Sequence, residues 1–287
     1  MKISFKRQFY QVLSCFFFST LGMQIKFLSA TTNIETIVFF RSLFGLLILV
    51  ALIFFRYSRD KLNLFKTKDF FVQFLRAVFG TFGMFFGYKS LTLIPLAQAS
   101  TISYIKVFFV AFLAYVFLKE KIRFQVFLCS IIGFLGIFII TSPEQFLSFK
   151  GSLYATISAL FVAAGIIAVS FLSKKNAPTT ILFYHSLFAS VISCAVFFRE
   201  IQFLINIFVF KYLILITLTA LLGQYFNALS YKNTEANIIV LFGYSRILFS
   251  FVLGFFFLNE KLGLNFFLGF ILILLSTGFV SIFLKKY

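Results

Sequence analysis

Acidic side chains are scarce in this sequence, with eight Asp and Glu against 26 Lys and Arg in 287 residues. The eight (Glu35, Asp60, Asp69, Glu120, Glu144, Glu200, Glu235 and Glu260) all fall at the ends of apolar segments or between them. No carboxylate pair is therefore placed at membrane depth for acid–base or metal chemistry, and no single one for proton antiport. Three cysteines, Cys15, Cys129 and Cys194, lie inside apolar segments without a CxxC pair, which excludes a disulfide framework and a zinc site. There is one histidine, and the three prolines form no linker. Trp is absent while Phe supplies 50 residues, an excess that fits an AT-rich genome better than a cofactor box. The sequence asks for no cofactor and no metal.

What remains is apolar. Hydrophobic residues make up 61% of the chain and charged residues 12%, with a mean hydropathy of +1.04. Soluble domains run nearer half apolar and a quarter charged, so lipid must be the solvent for most of this chain. About 20 apolar residues make one bilayer-spanning helix. Ten segments qualify: 9–28, 34–55, 70–89, 94–118, 124–141, 151–172, 179–198, 207–230, 236–258 and 263–284. The expected fold class is all-α integral membrane. Lys2, Lys6 and Arg7 precede the first segment without a small-residue cleavage site, so that segment reads as a retained helix.

The net charge of +18 would suggest nucleic acid on a soluble protein, but here it is topological. With the N-terminus inside, 16 basic residues fall on the cytoplasmic side and 6 on the outer side. That asymmetry predicts both termini on the cytoplasmic side, and the expected location is a bacterial inner membrane. The expected partners are the bilayer and a small-molecule substrate, with no nucleic acid; a homodimer is left open.

The two halves repeat. Phe27-Leu28-Ser29 recurs as Phe171-Leu172-Ser173, and Arg41-Ser42-Leu43-Phe44 as His185-Ser186-Leu187-Phe188, both at an offset of 144. Further on, Tyr104-x-Lys106 recurs as Tyr244-x-Arg246, and Leu118-x-Glu120 as Leu258-x-Glu260, at an offset of 140. The expected division is 1–145 and 146–287, each with five helices. Five is odd, so the second copy enters the membrane from the opposite side, as in secondary transporters built from inverted repeats.

Five ionisable side chains stand inside predicted helices: Arg41, Arg76, Lys106, His185 and Arg246. A charge at membrane depth is costly, so such residues are functional candidates. Lys106 and Arg246 are repeat partners and lie roughly 15 Å from either surface, beyond snorkelling reach. Arg41 and His185 are likewise partners. Together with Tyr104 and Tyr244, these four make the candidate substrate-binding set; Arg76, within reach of the headgroups, is left out. No catalytic residue is expected, and the protein is not read as an enzyme. Gln98, Ser100, Thr101, Ser103, Tyr104 and Lys106 surround the fourth helix with polar groups, which places it inside the bundle. Gln224, Tyr225 and Asn227 add polarity on the eighth. Gly80, Gly83, Gly87 and Gly223 read as close helix contacts.

Phe40-Arg41, Leu75-Arg76, Gly83, Tyr88, Leu91, Pro95 and the Leu118-x-Glu120 and Leu258-x-Glu260 endings, in this order, resemble the ten-helix EamA-type branch of the drug/metabolite transporter superfamily. The chain is also similar to the S-adenosylmethionine carriers of intracellular bacteria in that group. The resemblance implies a basket of two inverted five-helix repeats with alternating access to a central cavity. Val107 and Ile247 stand where the family often has Pro, and Arg246 stands where an acidic residue often precedes the second one.

The expected function is secondary transport of a small anionic or zwitterionic metabolite. Glu120 and Glu260 are expected to cap helices or form gate contacts. The alternatives are an S-adenosylmethionine, amino-acid or drug carrier of the same fold, a lipid scramblase, and a membrane-embedded enzyme.

Overall fold

The computed structural model describes residues 5–56, 67–121, 124–140, 148–258, 268–269, 271–272 and 275–276. Among them the chain is helical without strands: α1 (Phe5–Leu28), α2 (Ile34–Arg56), α3 (Phe70–Leu93), α4 (Leu96–Ile102), α5 (Lys106–Leu118), α6 (Phe124–Ile140), α7 (Phe149–Ser173), α8 (Pro178–Phe197), α9 (Ile207–Tyr231), α10 (Ala236–Phe242) and α11 (Ser245–Leu258). Eight spans are long and apolar enough to cross a membrane, counting α4 with α5 and α10 with α11 as one each. The shorter α6 is a ninth apolar helix. Most of the expected tenth segment, 263–284, lies outside the described residues, as do Glu260, Lys261 and the termini. The described residues therefore carry nine of the ten expected segments, and the tenth falls mostly outside them.

Local chemistry sets several ends. Ser148 accepts from the amide of Gly151 at 3.3 Å to start α7, and Asn206 accepts from Val209 at 2.8 Å to start α9. Pro178 opens α8, where its missing N–H costs nothing. Rings such as Phe55, Phe71, Phe117 and Phe149 point outward, a surface suited to lipid and not to water.

Two expected helices are broken. Between α4 and α5 the backbone tightens into a 3₁₀ turn at Ser103–Ile105, and between α10 and α11 the chain turns at Gly243 and Tyr244. Leu96–Ile102 and Ala236–Phe242 stand 140 residues apart, so the breaks recur at the offset of the sequence repeat. Serine hydroxyls compete with the helical ladder at both places. Ser103 donates to the carbonyl of Ser100 at 2.7 Å and Ser245 to that of Phe242 at 2.8 Å. The backbone responds with i to i+3 bonds from Tyr244 to Leu241 and from Arg246 to Gly243. Hydropathy alone gave continuous spans over 94–118 and 236–258 because these turns interrupt hydrogen bonding and not apolarity.

Packing also repeats. α3 lies along α7 as α1 lies along α9, and α2 crosses α8. Ser158 on α7 donates to the carbonyl of Gly83 at 2.7 Å, and Ser14 on α1 donates to that of Gly223 at 2.8 Å. The two serines are separated by the offset of 144 and the two glycines by the offset of 140. A side chain on Gly83 would meet Val162 at 3.0 Å, and one on Gly223 would meet Phe18 at 3.1 Å. Small residues let these backbones approach, and the buried serines hold them together where no water competes.

Candidate substrate cavity

A cavity of about 220 Å³ opens among the helices. Arg41 from α2, Arg76 from α3, Lys106 at the head of α5, His185 from α8 and Arg246 from α11 all line it, as does Tyr104. Arg41, Arg76, Lys106 and His185 are buried, and Arg246 is partly so. No Asp or Glu lines the cavity among the described residues.

Aromatic faces stand where counter-ions are missing. The ammonium of Lys106 lies 4.1 Å from the ring centre of Tyr104. The guanidinium of Arg41 lies 5.9 Å from that of Tyr88, and Arg246 lies 5.7 Å from that of Phe18. A desolvated cation–π contact recovers about 2 kcal/mol. Desolvating an unpaired charge costs several times more. Arg41 Nη1 also donates to the sulfur of Met84. Arg41 Nε, Arg76 Nε and Nη1, Arg246 Nε and His185 Nδ1 have no hydrogen-bond partner among the described residues. The walls thus present unused donors and uncompensated positive charge, the complement of an anion.

The helix breaks set this geometry. The buried hydroxyl of Tyr104 donates to the carbonyl of Gly243, which also accepts from Cys15 Sγ at 3.6 Å. Lys106 directly follows one turn, and Arg246 follows the other with Ser245 between. Ser100 donates to Ser250 at 2.9 Å and Ser250 to Ser19 at 3.2 Å, linking α4, α11 and α1 beside the cavity. Gln11 accepts from Ser230 at 2.7 Å and from Asn227 at 3.4 Å.

Five of the six site residues predicted from sequence line one cavity. Tyr244 does not: its hydroxyl donates to the carbonyl of Ser130 at 3.0 Å, and its ring covers Gly133 of α6. Arg76, outside the expected set because of its depth, also lines the cavity. The signal was Gly80 one turn further on, which lets α8 close in beside it: a Cβ at Gly80 would stand 2.5 Å from His185 Cε1. On α9, Gln224 and Asn227 reach the cavity, while Tyr225 is 36% exposed and faces away.

The acids lie elsewhere. Glu35 pairs with Lys89 at 2.8 Å and Asp69 with Lys175 at 3.6 Å, each at helix ends. Glu120, just past the end of α5, accepts from the amides of Ala236 at 2.9 Å and Asn237 at 3.2 Å, capping α10. Burial raises its carboxyl above the usual range, although these two amides pull the other way. The three cysteines are free, and no group of His, Cys, Asp or Glu among the described residues could hold a metal.

The EamA-like transporter family model matches residues 7–142 and again 149–282, nearly the whole chain in two copies. The chain belongs to the EamA-like transporter family. A pseudopaline exporter of Pseudomonas aeruginosa is 28% identical over 252 residues, covering 87% of this chain and 86% of its own. An S-adenosylmethionine uptake transporter of Rickettsia conorii is 25% identical over 264 residues, covering 91% and 87%. A solved crystal structure shares the fold with a TM-score of 0.75 at 13% identity, over 98% of this chain and 96% of its own. This EamA-like protein is a multi-pass membrane transporter.

Proposed function

We propose that this transporter is a secondary carrier that moves a small anionic or zwitterionic metabolite across the bacterial inner membrane by alternating access. The observation that carries this reading is the cavity itself: four Lys and Arg side chains and one His converge, and no acidic side chain joins them among the described residues. Lys106 and Arg246 hold an anionic group beside the helix breaks, with Tyr104 against Lys106, and Arg41 and His185 line the same cavity. Two five-helix repeats of opposite orientation, 1–145 and 146–287, supply the two faces that open in turn, and the basic loops keep both termini cytoplasmic. Tyr244 has a packing role. S-adenosylmethionine, the cargo in the name of one relative, bears a sulfonium cation that this set of charges repels. The named relatives include both an exporter and an importer, so the family by itself favours neither direction.

Thermal unfolding of the purified protein across a panel of carboxylates, phosphates, amino acids and cations tests the reading. A ligand present at a hundred times its dissociation constant stabilises by about 2.7 kcal/mol. Shifts confined to anions and zwitterions are expected, and a panel in which only cations stabilise contradicts the proposal.

A further inference from the structure

The cations of the cavity fall into two groups on different helices. Lys106 and Arg246, on α5 and α11, stand just past the two helix breaks, whereas Arg41, Arg76 and His185 stand on α2, α3 and α8, where a Cβ at Gly80 of α3 would lie 2.5 Å from His185 Cε1. α2 and α8, which carry Arg41 and His185, pack on α3 and on each other. α5 packs on α7, and α11 on α1 and α4. One cavity is lined by all of them. We infer that Arg41, Arg76 and His185 form a second anion subsite, and that the cargo carries an anionic group at each end.

Three observations support a built subsite. Arg41, Arg76 and His185 are only 5%, 6% and 4% exposed, so their donors are fixed by packing. Arg76 Nε and Nη1, Arg41 Nε and His185 Nδ1 have no hydrogen-bond partner among the described residues. A recess of about 10 Å³ adjoins Arg41 and His185, with Ser42, Thr217 and Gln224 in its wall. That volume suits one water bridging polar groups. Guanidinium groups offer forked donors that match a carboxylate or phosphate, and a single small anion beside Lys106 and Arg246 leaves them unused. A compact dicarboxylate or a phosphorylated carboxylic acid satisfies both groups at once.

This inference rests on the carrier reading, and the test separates the two. Dissociation constants are measured by calorimetry on the full chain for matched pairs: succinate with butyrate, glutarate with valerate, and 3-phosphoglycerate with glycerate. The wild type is expected to bind the more highly charged member of each pair at least about tenfold more tightly, the worth of one charge-assisted contact. Arg76→Gln is expected to remove that margin and leave the less charged member within about twofold, and Arg76→Lys to recover part of it. If the members of each pair bind alike, or Arg76→Gln weakens both equally, the second subsite is overturned while the carrier reading stands. If none of these anions binds, both fail. Should Arg76→Gln not fold, the wild-type ratio and Arg76→Lys decide.

Discussion

The hydroxyl of Tyr104 donates to the carbonyl of Gly243, joining the break in one discontinuous helix to the break in the other. Lys106 and Arg246 stand just past these two breaks, at the starts of α5 and α11. Tyr104→Phe deletes the bond but keeps the ring under the Lys106 ammonium. It is expected to destabilise by about 0.5–1.5 kcal/mol, with ligand affinity nearly unchanged. Tyr104→Ala removes the ring as well and is expected to weaken binding further. Thermal unfolding and ligand titration of both variants check this, and a Tyr104→Phe protein as stable as wild type would show that the bond contributes nothing.

Glu120 holds the start of α10 through the amides of Ala236 and Asn237. Glu120→Ala strips both amides of their acceptor and is expected to cost about 1–3 kcal/mol, while Glu120→Gln keeps one acceptor oxygen and costs less. Burial, the largest influence on this carboxyl, raises it above its usual range. The folded protein therefore holds its proton to higher pH than the unfolded chain does. The stability from that protonation is complete below the ordinary carboxylate pKa and is lost as pH rises through the raised value. Wild type should lose melting temperature across that rise relative to Glu120→Gln. A difference that does not vary with pH contradicts the assignment.

Tyr244 is 0% exposed, and a Cβ on Gly133 would stand 2.3 Å from its ring. Gly133→Ala is expected to destabilise by about 1–3 kcal/mol through overpacking against a ring with nowhere to go. Tyr244→Phe loses only the bond to Ser130 and is expected to leave ligand affinity unchanged. A tenfold loss of affinity in Tyr244→Phe would return Tyr244 to the substrate site.

Hydropathy is a one-dimensional signal, and it located the spans well. α7 covers 149–173 against an expected 151–172, and α8 covers 178–197 against 179–198. It shortened α1 and α3 because Phe5–Gln8 and Ser90–Leu93 mix polar with apolar residues, and helices continue through such stretches when neighbours satisfy them. The repeat pointed to Lys106 and Arg246 because charge at membrane depth is rare enough to be informative. Rotation about a helix axis is not visible in this way. Tyr104 and Tyr244 occupy matching positions, yet one ring faces Lys106 in the cavity and the other covers Gly133 on α6. The distance of Arg76 from a helix end says nothing of its place in the cavity, where α8 approaches closely at Gly80.

Counterflow into proteoliposomes tests the central claim most directly. Vesicles containing the purified protein are loaded with the anion that stabilises it best, and uptake of the labelled compound is followed for wild type, Lys106→Ala and Arg246→Ala. Rapid exchange by wild type is predicted, with a loss of at least about tenfold in each variant, the effect of deleting one charge-assisted contact. Variants that exchange at the wild-type rate, or a wild type that exchanges only cations, would contradict a cationic cavity as the seat of transport.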